Sequence, residues 1–304
     1  MAFRIRPDRP FTAEFRSVAE HQLRQAIHFL EEQPEGPHEA VHDARKKFKR
    51  VRALYRLVQP DAKEFRKREN ERIREMARSL SAVRDATALV ETVDYLASEA
   101  GPPEEMAALH FASKALIERR DRIAHEESDL PAKMAAAART CREAIDALQD
   151  LDLDDGPRRT ARRLAKAWRK QLSRAAADLV ACEEGGDAEH FHDLRKVGQT
   201  YWMHLALLSD LWSSAMRAKQ REAKTLVDML GHEHDLSVLT QVVDENPDLF
   251  GGSETLARVI GAIIARQQDL RLKAVAQAKL VFADDADTEA ARIALLWKEA
   301  ASRK

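Results

Sequence analysis

The chain has little of what disulfide-bonded, metal-binding and membrane proteins depend on. It has 304 residues but only two cysteines, Cys141 and Cys182, whose separation fits neither a metal site nor a redox pair. No apolar run approaches the roughly 18 residues of a membrane span, and the N-terminus lacks the apolar segment of a secretion signal. We therefore expect a soluble, cytoplasmic protein with reduced thiols and no membrane span.

Glycine and proline are also scarce, at ten residues each, and they cluster between long segments whose apolar residues recur every three to four positions. This pattern predicts an all-α protein. The breaks lie at 33–37, 59–61, 99–103, 130–131, 153–157, 184–186 and 245–252. They leave helices of roughly 15 to 30 residues, about four in each half, which predicts a pair of antiparallel four-helix bundles.

Motifs of common enzyme sites are missing, since the chain has no P-loop, glycine-rich phosphate loop or nucleophile elbow. His–Asp dipeptides begin at His42, His192 and His234, and helical metal phosphohydrolases use such ligands. Adjacent helical residues point about 100° apart, so they do not easily bind one ion together. The sequence predicts a protein without catalytic residues, metal or cofactor, and a metal-dependent phosphohydrolase stays open as an alternative.

The chain contains an internal repeat. The segment VHDARKKFKRVRALYRLV, which starts at Val41, is answered by FHDLRKVGQTYWMHLALL, which starts at Phe191. His42 and His192 are about 150 positions apart, and Asp85 and Asp235 share that offset. Two separated landmarks with one spacing predict two related halves, residues 1–152 and 153–304.

The net charge of −1 conceals strong segregation of charge along the chain. In the first repeat segment, the apolar residues and the cations form two neighbouring stripes of one helix. The cationic stripe consists of His42, Arg45, Lys49, Arg52 and Arg56, with Lys46 at its edge. Like charges on successive turns repel unless an anion is bound, so the stripe predicts an anion site, with a solvated basic face as the alternative. The cations should also keep His42 neutral until an anion binds.

Two further segments bear on this site. The helix predicted to begin at Pro157 carries five cations on one arc, for which a ligand role and a solvated surface are both open. These cations are Arg159, Arg163, Lys166, Lys170 and Arg174. The second repeat keeps His192, Arg195 and Lys196 but has lost the later cations. We assign its aromatic residues Tyr201, Trp202 and Trp212 to the core.

These residues resemble the CHAD domain, a helical family named for its conserved histidines, whose first basic helix reads approximately HxxRVxxRRxR. The matching positions hold His42, Arg45, Lys49, Arg50 and Arg52. The family's LGxxRD-like sequence is matched by Leu80, Arg84 and Asp85, and again by Leu230, Gly231 and Asp235. The sequence departs from the family pattern at Gln199, Trp202 and Thr87. These departures give no support to an equal contribution of the two halves to the site.

The resemblance implies two pseudo-symmetric four-helix bundles around a basic central channel that holds inorganic polyphosphate without catalysis. Some family members associate with polyphosphate granules. An RNA-binding protein is the alternative, because cations that contact phosphate are generic, but the basic stripes lack the interleaved aromatics of single-strand binders. The predicted polyphosphate-binding residues are His42, Arg45, Lys46, Lys49, Arg50, Arg52, Arg56, Arg84, Arg159, Lys166, Lys170, His192, Arg195 and Lys196.

Overall fold

The computed structural model describes residues 3–80, 82–127 and 129–302. Within these ranges every regular element is a helix, so the predicted all-α class is confirmed. The first half contains α1 (Phe11–Glu32), α2 (Pro37–Leu57), α3 (Lys63–Ser79), α4 (Ala82–Glu99), α5 (Pro103–Glu126) and α6 (Leu130–Ala147). The second half contains α7 (Pro157–Glu183), α8 (Ala188–Leu207), α9 (Ser213–Glu245), α10 (Ser253–Val281) and α11 (Ala286–Ala301). Short 3₁₀ turns span Leu148–Asp150 and Pro247–Phe250.

The helix starts follow from local chemistry. Pro37, Pro103 and Pro157 occupy the first position of α2, α5 and α7, where a missing backbone N–H costs nothing and the fixed φ suits a helix. Asp187 caps α8, because its carboxylate accepts hydrogen bonds from two backbone N–H groups of the first turn. The sequence pattern did not predict the break at Leu208–Trp212, because this stretch contains neither glycine nor proline.

The order of helices repeats along the chain. α3 begins at Lys63 and α9 at Ser213, and α5 and α10 begin at Pro103 and Ser253, with the same offset as the two repeated histidines. α3 and α4 together correspond to the single long α9. In the first half α1 packs against α2 and α6, and in the second α7 packs likewise against α8 and α11.

The two halves share their cores. One large apolar cluster contains residues of α1, α2, α3 and α6 together with residues of α7, α8 and α11. A second cluster joins α4 and α5 to the C-terminal part of α9 and to α10. The predicted division between residues 152 and 153 falls in the non-helical stretch before α7, and it stays a prediction.

The apolar stripe of α2 is buried as its spacing predicts. Its members are Val41, Ala44, Phe48, Val51, Tyr55 and Val58, none more than 4% exposed. The core prediction is right for Tyr201 and wrong for Trp212, which is 57% exposed because it precedes α9 in a break that the sequence pattern did not show. Within the described ranges no helix combines the length and apolarity needed to cross a membrane.

Candidate functional site

The two repeated basic helices, α2 and α8, pack against each other and enclose a small cavity of about 100 Å³. We call it the α2–α8 cavity. α2 contributes Lys49, Arg52 and Arg56, and α8 contributes Lys196 beside the uncharged Gln199, Thr200 and Met203. The cationic stripe predicted next to the buried face of α2 therefore faces the second half of the chain.

A larger cavity of about 470 Å³ adjoins the first, and Arg56 lines both. We call it the α7 cavity, because α7 supplies Lys166, Lys170 and Arg174. Arg66 from α3 adds another cation. No carboxylate among the described residues lines either cavity. The α7 cations therefore line the adjoining cavity and not the α2–α8 cavity itself.

Arg56 is fixed at the junction of the two cavities. Its Nη1 donates a hydrogen bond of 2.6 Å to Oγ1 of Thr200, which joins α2 to α8. Burial, together with the nearby positive charges of Arg52, Arg66 and Arg174, lowers the pKa of Arg56 to about 10. The junction is therefore strongly electropositive.

His204 supports this junction from α8. It is buried, its Nε2 lies 2.9 Å from the carbonyl oxygen of Ala53, and its Nδ1 lacks a hydrogen-bond partner in the described protein. Burial lowers the pKa of His204 to about 4, so the ring is neutral at physiological pH and Nε2 donates to the carbonyl. Nothing in the basic pattern of the sequence indicated this contact.

Lys49 lies among other cations. Its side chain is accessible to solvent, yet it lies within a concave site, and the surrounding protein lowers its pKa to about 8. The positive charges of Arg195 and Arg45 add to this effect, and no carboxylate of the described chain lies within ion-pairing distance of its Nζ. Lys49 therefore titrates close to physiological pH.

The pKa values of the repeated histidines are lowered for the same reasons. The rings of His192 and His234 stack with centroids 4.3 Å apart. Burial and nearby cations lower the pKa of His192, and they lower that of His234 to about 3. The pKa of His42 is lowered by burial and by Arg84 and Lys46. The lowered pKa values of His42 and His192 agree in direction with the prediction that neighbouring cations disfavour their protonation.

A half-buried carboxylate, Asp235, directly follows His234 in α9. Burial raises the pKa of Asp235, although Arg195 and His232 act in the opposite direction. The guanidinium of Arg195 has no hydrogen-bond partner for its Nε in the described chain. Arg195 therefore keeps donor capacity beside the α2–α8 cavity.

Several predicted residues lie outside both cavities and have partners of their own. Lys46 pairs with Asp43 at 2.9 Å, and Arg84 makes two hydrogen bonds of 2.8 Å to Glu91. Arg45 donates to the carbonyl oxygen of Ala77 at 2.7 Å. Arg50 lies over the ring of Phe3, 5.3 Å from its centre.

The cationic arc of α7 is divided by the tertiary structure. Arg163 is buried and pairs with Asp61 at 2.7 Å, so it is a structural residue. Arg159 is exposed, lies 3.5 Å from Asp154, and lines a separate depression with Lys298 at the start of α7. The structure does not bring Arg159 to the predicted site, because it lies before the part of α7 that faces α2.

Two cations of the α7 cavity were absent from the predicted set, Arg66 and Arg174. Arg174 belongs to the arc recognised in the sequence, and it pairs with Asp193 at 3.1 Å. Arg66 lies in a segment where acidic and basic residues alternate, so its position gave no signal. Arg66 lines the α7 cavity because α3 packs near the end of α2.

One group of residues in the described chain has the spacing of metal ligands. Ligand atoms of Glu39, His42 and Asp43 lie within 4.8 Å of one another on the first turns of α2. Asp43 already pairs with Lys46, and the positive charge of Arg84 acts on His42. Both contacts disfavour a cation there.

The fold and these cavities define an all-α protein with repeated basic helices around electropositive pockets. The CHAD domain family model matches residues 17–244. The chain belongs to the CHAD domain family, as the resemblance predicted. No curated protein matches this chain. The fold is similar to the crystal structure of the CHAD domain from the plant Ricinus communis, with 18% identity, a TM-score of 0.60, and coverage of 93% of this chain and 95% of that chain.

Proposed function

We propose that this protein binds inorganic polyphosphate, without catalysing a reaction on it, along a basic channel formed by the α2–α8 and α7 cavities. The observation that carries the proposal is the lining of these adjoining cavities. They bring together eight cations and no carboxylate of the described chain. The eight are Lys49, Arg52, Arg56, Arg66, Lys166, Lys170, Arg174 and Lys196.

The charges of this lining are largely uncompensated within the protein. Lys196 and Arg174 pair with Asp193, whereas the other six have no carboxylate of the described residues within ion-pairing distance. Holding unpaired cations in a partly desolvated site is unfavourable, and a bound polyanion removes that cost. This supports a ligand with many closely spaced negative charges.

The arrangement also favours a linear ligand. Because Arg56 lines both cavities, their cations follow a continuous path from α8 past the end of α2 to α7. Polyphosphate carries about one charge per phosphate and no base edges, so arginine forks and lysine ammonium groups suffice to recognise it. The only aromatic ring among the described residues that line either cavity is that of His204, which is 1% exposed and offers no open face for a base, and this disfavours RNA there.

We also propose that the channel lies between two pseudo-symmetric four-helix bundles. The repeated packing supports this arrangement, because α1 contacts α2 and α6 in the first half as α7 contacts α8 and α11 in the second. The packing of α2 on α8 brings equivalent helices together at the centre. A protein that binds long chains in this way should associate with polyphosphate granules in the cytoplasm, which imaging of the labelled protein would test.

Charge reversal within one helix tests the binding proposal. Lys49→Glu with Arg52→Glu should abolish binding of long polyphosphate in calorimetry, while the circular dichroism spectrum stays unchanged. Lys46→Glu with Arg50→Glu is the matched control, because these cations lie on the same helix but outside both cavities. Equal affinity in the two double variants would refute the proposed site.

Competition separates polyphosphate from the two alternatives. We expect long polyphosphate to bind more tightly than transfer RNA at equal phosphate concentration, and more tightly than triphosphate per mole of ligand. Displacement of polyphosphate by transfer RNA would favour an RNA-binding protein. Triphosphate that binds as tightly as the long chain would favour a compact, enzyme-like pocket.

A further inference from the structure

Another cationic depression lies where α8 meets the first half of α9, and it differs from the two cavities above because a tryptophan indole lines it. Its volume is about 470 Å³. It is lined by Trp202, Arg217, Gln220, Arg221, Lys224 and Thr225. No described carboxylate lines it. The ammonium of Lys224 lies 5.9 Å from the centre of the Trp202 ring.

The equivalent positions of the first repeat carry different residues. Arg52 stands at the position equivalent to Trp202, and Glu71 stands at the position equivalent to Arg221. In the first half Arg52 donates to Asn70 at 3.0 Å, and Arg74 lies 3.4 Å from Glu71. The first half therefore satisfies its own polar groups at this place.

Among the described residues of the second half, only Lys224 has a carboxylate partner at this place, Asp228 at 2.5 Å, and the two arginines have none. An aromatic ring replaces a cation, a cation replaces a carboxylate, and Thr225 replaces the second carboxylate, Glu75. Arg217 and Arg221 lie one helical turn apart, both are exposed, and neither has a described carboxylate within 4.0 Å. Arg217 bonds only to the backbone oxygen of Ser213, at 3.2 Å. Two like charges on successive turns are unfavourable without an anion.

The indole is held in place and remains accessible. Trp202 is half-buried and packs against the large core, so its ring orientation is fixed by the fold. A fixed aromatic surface next to guanidinium groups suits a ligand that has a flat ring and phosphates. Polyphosphate has no ring, so it makes no use of the indole.

We propose that this depression binds a nucleoside phosphate, whose base stacks on Trp202 while Arg217 and Arg221 hold its phosphates. A free nucleotide and a nucleotide within single-stranded RNA share this chemistry. The site is separate from the proposed polyphosphate channel, since no residue lines both. Either proposal can fail without the other.

The test compares ADP with pyrophosphate, which carries the diphosphate but no base, by calorimetry at one salt concentration. ADP should bind the unmodified protein at least about fivefold more tightly than pyrophosphate, because stacking of a base on an aromatic ring contributes that much or more. Trp202→Ala and Trp202→Arg should remove this preference. Trp212→Ala is the matched control, because Trp212 is an exposed tryptophan outside the depression.

Further titrations test which part of the ligand each side chain contacts. Ribose 5-phosphate should bind no better than inorganic phosphate, which identifies the base rather than the sugar as the stacking group. Arg217→Ala with Arg221→Ala should weaken ADP binding while leaving long polyphosphate bound. An oligoadenylate that binds more tightly than ADP would assign the site to single-stranded RNA, and weaker binding would assign it to free nucleotides.

Two results would overturn the proposal. The first is equal affinity of the unmodified protein for ADP and pyrophosphate. The second is a preference for ADP that survives Trp202→Ala as fully as it survives Trp212→Ala. Because Trp202 lies outside the polyphosphate channel, long polyphosphate should bind equally well to both tryptophan variants, which also shows that they remain folded.

Discussion

Polyphosphate binding should weaken as the solution becomes more alkaline, and Lys49 should be responsible. Its pKa in the free protein is lowered to about 8, because the concave site partly desolvates the ammonium and the positive charges of Arg195 and Arg45 act on it. A bound polyanion replaces this repulsion with attraction, so the pKa should return toward the ordinary value of about 10.4. Binding then takes up a proton whenever Lys49 is neutral beforehand.

The size of the effect follows from these two pKa values. At pH 7 Lys49 is already charged in the free protein, and little proton uptake is needed. At pH 9 only about a tenth of the free protein carries the charge, whereas the complex remains protonated. The affinity should therefore fall about tenfold from pH 7 to pH 9. Internal phosphates keep their charge over this range, so the ligand does not reproduce the effect.

Calorimetry at constant ionic strength measures this linkage directly. The apparent enthalpy in buffers of different ionisation enthalpy should give an uptake of about half a proton at pH 8. Lys49→Arg should bind with little dependence on pH, because a guanidinium stays charged throughout. Lys46→Arg is the control on the same helix, since Lys46 pairs with Asp43 outside the cavities. The reasoning is refuted if Lys49→Arg shows the same fall in affinity as the unmodified protein.

Three other outcomes are expected. Alanine replacement of three positions in the first repeat should lower polyphosphate affinity at least about tenfold more than replacement of three positions in the second repeat. More unpaired cations are removed from the first repeat, and calorimetry at one salt concentration measures the difference. The two sets are Arg45, Lys49 and Arg52 against Arg195, Lys196 and Gln199, and equal losses would mean that α7 supplies the missing charge. Affinity should fall steeply with salt and rise with chain length, because a long chain displaces more counterions, and a flat salt dependence in titrations would contradict the channel. The pKa of His204 is about 4 in the folded protein and an ordinary 6.5 in the unfolded chain, so the unfolded state binds more protons as the pH falls. The free energy of unfolding should therefore fall by about 2 kcal/mol from pH 7 to pH 5 through His204. His204→Gln should remove this component in urea titrations, and an unchanged pH dependence would show that other groups cause it.

The sequence was most informative where a single helix decides the outcome. The apolar positions of α2 recur at helical spacing, and all are buried, because a stripe of that kind must pack against another element. Proline marked the starts of α2, α5 and α7 because its restricted geometry acts locally. The repeat pointed to the family because His42, Arg45 and Lys46 recur at the same spacing in the second half.

The sequence could not show which cations share a site. Lys166 and Arg159 lie on one arc of α7, yet Lys166 faces the end of α2 while Arg159 lies in another depression near Asp154. Arg66 reaches the same cavity from α3. Periodicity places a side chain on a face of its own helix, but it does not identify the helix that packs opposite.

The sequence by itself determined the all-α class, the repeat, the buried stripes and the basic character of α2, because each depends on residues close together in the chain. The tertiary structure alone decided that Arg56 joins two cavities, that His204 is held neutral, and that Trp202 lies beside unpaired arginines. These features depend on contacts between distant segments. Burial and the field of neighbouring charges exist only once the helices have packed.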